Sequence, residues 1–476
     1  MTYNGLKILA SILLTVVLSA VLPSCKGRAM SGMLVITQVP VSSTDADFCT
    51  GESWRYLTGA RLAAVDPDRP GKIRVLTGNF FSACSPDISY DGRFMLFSGR
   101  QSESDSWQIW EMDLRKMKTR KITSFTEDCT DPSYLPDGRM VFSKYTENDT
   151  VKISHSLFTC KLDGSALNQL TFSPVANFAT TVLKDGRLLT VSRQLLPEHG
   201  NPVLMVLRPD GTKADLFYKG SDSIVFLKGG AETDDGRIFF IENTRESLSG
   251  GTIASVSYNQ PLNSRADHTS STEGAYLAVL PLHSNEMLVS YKKPGTDHYA
   301  LYEFDNVRNT TGKIVLDDPD YNVFDIARVM KYERPRNLPS EVDMMVKTGL
   351  LFCQDINVRD IRMKGNPGKF GKVHMIEVLG TDTTYGKVTV EMDGSFQLKV
   401  IADTPFRIRT LDDSGNVESG PCAWLWLRPN ERRGCVGCHE DPEIVPENRL
   451  AEAVKKPPVV IPTYFGEIKE KTVELE

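Results

Sequence analysis

The sequence predicts a mainly β protein: a six-bladed β-propeller over residues 25–335, a small β-sandwich-like domain over 345–430, and a short C-terminal segment over 431–476. Three observations predict it. An Asp-Gly-Arg triplet recurs at a near-constant step, short apolar runs flank each copy, and the repeat stops at a polar, proline-bearing stretch, Glu333-Arg-Pro-Arg-Asn-Leu-Pro339. A repeat of about fifty residues built from short strands marks an array in which each unit buries its faces against its neighbours.

The triplets are Asp91-Gly92-Arg93, Asp137-Gly138-Arg139, Asp185-Gly186-Arg187 and Asp235-Gly236-Arg237, at steps of 46, 48 and 50 residues, with a degenerate fifth copy at Ser284-Asn285-Glu286. Asp-Gly between two apolar runs is a hairpin signal, because glycine supplies the positive φ of the tight turn. The triplets therefore read as turn chemistry, not as binding sites. A second hairpin comes after each, as in Gln108–Asp113 leading to Arg120–Thr123, and two hairpins make the four strands of one blade. Six outer hairpins are expected, near 60–78, 107–125, 156–172, 203–220, 251–262 and 300–318, against five inner ones. Pairing Asp325–Met330 with Met33–Thr37 supplies the missing inner hairpin and closes the ring with strands from both ends.

The sandwich is read from short runs separated by turn signals: 349–353, 373–378, 387–390, 395–400, 406–409 and 423–427, with turns at Met392-Asp-Gly394 and Asp412-Asp-Ser-Gly415. Trp424 and Trp426 alternate on the last run, so they are expected to share a face and to pack.

Composition bounds the function. The 476 residues are 40% hydrophobic and 24% charged with a net charge of −6, which fits a globular chain and implies neither a nucleic-acid footprint nor a polybasic membrane patch. No Ser-His-Asp constellation or phosphate loop argues for hydrolase or nucleotide chemistry. The first residues differ from the rest: Lys7, the apolar run Ile8–Leu22, then Leu22-Pro-Ser-Cys25. The run is short for a membrane-spanning helix and reads as a signal-peptide core over 1–24. The final four residues resemble a lipobox, which makes Cys25 the expected lipidation site and the membrane a partner through a lipid anchor. An ordinary cleaved signal peptide with an incidental Cys25 is the alternative. By resemblance to Gram-negative lipoproteins, Lys26-Gly27-Arg28 favours an outer-membrane anchor facing the periplasm.

The chemistry-bearing motif is Cys435-Val-Gly-Cys438-His439, the c-type haem attachment pattern. Two thiols add across the two haem vinyl groups, and the adjacent His439 reaches the iron as an axial ligand. Val436 and Gly437 are small enough to let the backbone lie close to the ring. One haem c is expected, with thioethers at Cys435 and Cys438. Two other readings of the same residues stay open: a disulfide or redox dithiol, and structural zinc held with Cys422. The tail after His439 holds no methionine or histidine. Any sixth iron ligand comes from an earlier domain, with Met363, Met375, Met392, His374 and Tyr385 as candidates by type, or the iron is five-coordinate.

Six cysteines remain among the nine: Cys49, Cys84, Cys129, Cys160, Cys353 and Cys422. They allow fifteen pairings, and the sequence does not choose among them. Cys84 and Cys129 lie at nearly equivalent places before their inner strands, which allows an approach to each other or to Cys49; a disulfide or a buried thiol is the ordinary reading, contact with the haem is the alternative, and the sequence does not decide between them. The lone histidines His155, His199, His268, His283 and His298 read as surface or packing residues.

These residues carry two resemblances. The run Ser85-Pro-Asp-Ile-Ser-Tyr-Asp-Gly-Arg93 resembles the WD-like repeats of Tol-type periplasmic propellers. The propeller, then Asp393-Gly-Ser-Phe396, Ala402-Asp-Thr-Pro405 and Arg428-Pro-Asn-Glu-Arg-Arg-Gly-Cys-Val-Gly-Cys-His-Glu440, resemble proteins related to the alpha subunit of hydrazine synthase, over nearly the whole mature chain. Tyr145–Asp149 with Ser156–Phe158 adds to it. The resemblance implies haem at Cys435, Cys438 and His439. It also places Glu443 where the synthase has an iron-ligating tyrosine, and this chain carries one such motif where the synthase has a second haem site and partner subunits. The expected function is a lipid-anchored, periplasm-facing redox protein that passes electrons to an envelope partner or does small-molecule redox chemistry. The alternative is a non-catalytic propeller scaffold with structural C-terminal cysteines.

Overall fold

The computed structural model describes residues 30–43, 57–69, 71–220, 224–226, 229–244, 250–269, 272–283, 285–358, 372–437, 443 and 448–462. Cys25, Cys49, Met363, Cys438 and His439 lie outside the described residues. The fold is mainly β and of propeller type. Four-stranded antiparallel meanders succeed one another along the chain, and the two ends of the array meet in one sheet. Leu34–Pro40 lies between Arg61–Val65 and Tyr321–Arg328, with Leu34 opposite Arg328 and Thr37 opposite Asp325. This is the closure expected from the strand count.

The second meander runs Ser82–Ile88, Phe94–Arg100, Gln108–Asp113 and Lys118–Lys121. The next two, beginning at Cys129–Tyr134 and Val175–Val182, are counted as one sheet because His155 and Ala176 form a single parallel bridge. The outer hairpin expected to end near residue 262 instead places its last strand at Ala266–Asp267. Pro261 cannot donate to a ladder, and the chain turns there, with Ser257 N–H donating to Ser264 Oγ at 2.7 Å.

The inner strands share one irregularity. Each of three carries a bulge, between Cys84 and Asp87, Thr130 and Ser133, and Phe178 and Thr181. The bulged residues Ser85, Asp131 and Ala179 adopt φ of 54°, 52° and 50°. The bulge aims backbone N–H groups sideways at the neighbouring meander. Ser85 N–H donates to Asp325 Oδ2 at 3.2 Å, Ser85 Oγ donates to Asp131 Oδ1 at 2.9 Å, and Ala179 N–H donates to Asp131 Oδ2 at 3.4 Å. Carboxylates thus stitch successive inner strands together. The same alignment corrects the expectation for Cys84 and Cys129. Ser85 is equivalent to Asp131, so Cys84 is equivalent to Thr130, and a one-residue offset puts Cys129 on the opposite face. Cys84 packs with Trp107 and Phe324, whereas Cys129 packs with Leu96 and Ile109.

The Asp-Gly-Arg turns do what turn chemistry requires. Asp91, Asp137 and Asp185 each accept the N–H of the arginine two residues on, at 3.1, 3.0 and 2.9 Å. They also form a track for the segment that leaves the propeller. Tyr332 N–H donates to Tyr90 O, Arg334 Nη1 to Pro136 O and Arg336 N–H to Lys184 O, so the linker crosses three successive turns. A Cβ on Gly92 would sit 2.8 Å from Met330 O, and one on Gly186 2.1 Å from Arg336 O. Glycine is needed here for the approach of a second backbone as well as for its positive φ.

The small domain is a pair of four-stranded sheets. Arg432–Cys435, Thr348–Cys353, Phe396–Ile401 and Val459–Ile461 form one, and Thr384–Thr389, Met375–Leu379, Arg407–Leu411 and Val417–Ser419 form the other. Leu351, Ile376, Val378, Leu398, Val400 and Phe406 fill the space between them. The run 423–427 contributes one bridge, Leu425 to Phe406, rather than a strand. Trp424 is drawn to the propeller, its Nε1–H donating to Leu196 O at 2.7 Å with the Arg407 guanidinium 4.8 Å from the ring centroid. Trp426 is buried, as packing predicted.

A cavity of about 450 Å³ lies among the inner strands and the linker, and Asp87 lines it. Burial raises the Asp87 carboxyl to about 7, against a smaller opposing effect of the Tyr134 N–H it accepts at 2.8 Å. A carboxyl whose folded pKa lies above its unfolded value stabilises the fold most below the unfolded pKa, and that contribution is lost as pH rises through the folded one. Urea unfolding of the wild type should therefore show stability falling between about pH 4 and pH 7, and Asp87→Asn, which still accepts the Tyr134 N–H, should flatten that fall.

Candidate haem-attachment site

The site is built on the edge of the first sandwich sheet. Arg432–Cys435 runs parallel to Thr348–Cys353, with Leu350 opposite Arg432 and Cys353 opposite Cys435. The pairing continues past the strand: Gln354 N–H donates to Cys435 O at 2.9 Å and Asp355 N–H to Val436 O at 3.0 Å. The first half of the motif is therefore held by backbone hydrogen bonds. Among the described residues, no strand pairs with the other flank of Arg432–Cys435. Cys435 is half-buried there, and Gly434 has open space where a side chain would stand.

The two small residues between the cysteines have different roles. Val436 carries the backbone bond to Asp355. Gly437 is pressed against Val358, where a Cβ would lie 2.2 Å from the Val358 carbonyl oxygen. Any other residue at 437 would push the chain off this surface just before Cys438. An open edge at Cys435 beside a backbone cradle at Gly437 suits a flat group attached through adjacent thiols.

The residues before the motif form a lock. The Glu431 side chain is fully buried. Its Oε1 accepts Lys213 N–H at 2.8 Å from the propeller and Arg433 Nη2 at 2.7 Å, and its Oε2 accepts Arg428 N–H at 2.8 Å. Arg428 reaches the other way, pairing with Asp403 at 2.9 Å and lying 4.8 Å from the ring centroid of Phe172 in the propeller. The run Arg428-Pro-Asn-Glu-Arg-Arg433 thus fastens propeller, sandwich and motif strand together. In the sequence these residues stand out only through the resemblance. The available signal is an acid set among three arginines, Arg428, Arg432 and Arg433, on the threshold of the motif.

The tail beyond the motif is pinned too. Arg449 Nη2 donates to Gln354 O at 3.0 Å and Asp393 O at 2.8 Å, and it pairs with Asp355 at 3.2 Å. Glu452 N–H donates to Asp393 Oδ2 and Ala453 N–H to Ser395 Oγ, both at 2.9 Å. Val459–Ile461 then adds a parallel strand beside Phe396–Ile401. The Asp393-Gly-Ser-Phe396 turn is the anchor of this tail. Glu443, at the tyrosine position of the resemblance, faces the propeller: Leu262 N–H donates to its Oε1 at 2.7 Å and Asn263 Nδ2 to its Oε2 at 2.5 Å.

The candidate iron ligands separate by position. Met392 is highly exposed on the Glu391–Gly394 turn, whose Gly394 O accepts Ile356 N–H one residue from Asp355. His374 is exposed and Met375 half-buried on the second sheet. Tyr385 crowds Gly380, and its hydroxyl donates to Pro405 O at 3.4 Å. Cys422 packs against the sandwich core, its Sγ accepting Ile408 N–H at 3.2 Å. Cys129 and Cys160 are buried thiols in the propeller, and burial pushes both up to about 12.

Glu431→Ala should cost about 3–5 kcal/mol of stability, because it strands Arg433, the buried Arg428 N–H and the partly buried Lys213 N–H. Urea unfolding measures the loss, and limited proteolysis should show cleavage between the propeller and the small domain in the variant first.

The family model for the hydrazine synthase alpha subunit middle domain matches residues 360–440. The alpha subunit of hydrazine synthase from Kuenenia stuttgartiensis is 22% identical over 508 aligned positions, which cover 80% of this chain and 62% of that protein. The chain thus spans less than two thirds of that relative's length. The solved structure of Kuenenia stuttgartiensis hydrazine synthase superposes with a TM-score of 0.76 at 20% identity, over 90% of this chain and 72% of that one. TolB from Acinetobacter baumannii matches at a TM-score of 0.45 and 14% identity, over 63% of this chain and 67% of that one. Motif, middle domain and fold agree: the chain is related to the hydrazine synthase alpha subunit.

Proposed function

We propose that the chain is a periplasm-facing lipoprotein, anchored through Cys25, that binds one c-type haem at Cys435, Cys438 and His439 and acts in electron transfer or small-molecule redox chemistry. The observation that carries the reading is the seating of Cys435. It stands half-buried at the open edge of a sheet, with the Gly437 cradle after it and a buried lock before it. The relation to an alpha subunit of hydrazine synthase supports a redox role. Hydrazine chemistry itself does not follow, since Glu443 replaces the tyrosine of the resemblance and the chain spans only part of its relative.

The propeller reading is six blades. The eight-stranded sheet divides at its single parallel bridge into two four-strand meanders, which join the closing meander and three others. In this arrangement the propeller is the platform and the small domain carries the cofactor. A bound haem supplies reversible one-electron chemistry and, when a position is open, ligand binding at iron. Cys435, Cys438 and His439 would hold the group, and the close packing of Gly437 on Val358 would fix the backbone that carries them.

The test is the absorption spectrum of the chain exported to the periplasm with a c-type haem maturation system. A pyridine haemochrome of the c type, lost in Cys435→Ala plus Cys438→Ala, is the expected result, and carbon monoxide then reports an open coordination position. A colourless protein of unmodified mass overturns the reading and leaves the scaffold alternative. Zinc analysis then decides whether Cys422, Cys435 and Cys438 hold a structural ion.

A further inference from the structure

We propose that Cys353 is a disulfide partner for Cys435, so that the haem-free chain stores one motif thiol in a reducible cross-strand bond. The consequence for attachment rests on the haem reading above; the disulfide itself does not. The geometry comes from the register. Cys353 and Cys435 are Cα partners in a parallel pair, and in-register residues of parallel strands project from the same face. Both belong to the sandwich core cluster, Cys353 buried and Cys435 at its margin. Adjacent strands lie about 4.8 Å apart, inside the Cα range of about 4.4–6.8 Å seen in disulfides.

The same geometry makes the bond labile. Cβ atoms of an in-register parallel pair stay near the strand spacing of about 4.8 Å, beyond the roughly 3.5–4.5 Å of a relaxed disulfide. Closing the gap strains the link, and strained, accessible disulfides are the easily reduced ones. Among the described residues Arg432–Cys435 pairs with one strand only, and Cys435 lies at its far end from the Glu431 network, so the adjustment falls on that end. The balance is simple. Two thiols give up two protons and two electrons to a protein or small-molecule disulfide, which becomes two thiols as the Cys353–Cys435 bond forms. A dithiol reverses it. Haem addition at Cys435 needs the free thiol, so it comes after reduction and leaves Cys353 as a buried thiol beside the thioether.

The experiment uses the full haem-free chain equilibrated with glutathione disulfide, alkylated and digested. The expected product is a peptide pair joined through Cys353 and Cys435, absent after dithiothreitol and absent in Cys353→Ala. Cys353→Ala should also abolish the lag in haem incorporation that the oxidised wild type shows relative to the reduced one. A wild-type chain in which Cys435 is joined to Cys438, or in which Cys353 is fully alkylated under oxidising conditions, overturns the proposal. Failure of the haem reading looks different: the Cys353–Cys435 peptide still forms, and the reduced chain stays colourless.

Discussion

The buried carboxylate of Glu431 is the point on which the parts of the molecule meet. It accepts a backbone N–H from the propeller at Lys213, a backbone N–H from its own turn at Arg428, and the guanidinium of Arg433. A charge with no exposed surface is tolerable only when its acceptor positions are filled from fixed donors. That condition demands the propeller, the turn and the motif strand at once. Arg428 extends the network to Asp403 and Phe172. The edge strand carrying Cys435 is therefore located by two domains rather than one.

The propeller can serve as such a platform because it is closed on itself. Leu34–Pro40 sits between strands from opposite ends of the array, and bulged residues let Asp131 and Asp325 bond the neighbouring inner strands. The linker then reuses the Asp-Gly-Arg turns as a track, which fixes the exit direction of the chain. Phe172, Leu196, Lys213 and Leu262 of this platform each meet a residue that follows the sandwich strands: Arg428, Trp424, Glu431 and Glu443. Glu443 meets Asn263 as well.

Much of this was legible in the sequence because it depends on period and turn chemistry. The triplet spacing, the strand count and the joining of 325–330 with 33–37 come from local pattern. The features that escaped depend on tertiary partners. The side on which Cys84 and Cys129 fall hangs on a single-residue offset inside a bulge, which composition does not mark. Ala423–Leu427 looks like a strand by alternation, but Trp424 takes its partner in the propeller. Glu431 and Arg428 enter the sequence reading only as part of the run before the motif, because the donors that bury them come from distant segments. Cys353 is unremarkable at 82 positions from Cys435 and becomes its neighbour only through a parallel pairing, which no hairpin rule foretells.

The parallel pairing also explains why a tail is needed after the motif. Among the described residues the four-residue strand Arg432–Cys435 is paired on one side, so a second tie to its sheet helps to hold it. Arg449 bridges Gln354, Asp355 and Asp393, and Val459–Ile461 enters the same sheet beyond Phe396–Ile401. The segment that begins at Cys435 thus starts and ends in one sheet, on opposite sides of the two strands between. The small domain therefore fixes Cys435 and the end of the tail through the same two central strands, Thr348–Cys353 and Phe396–Ile401.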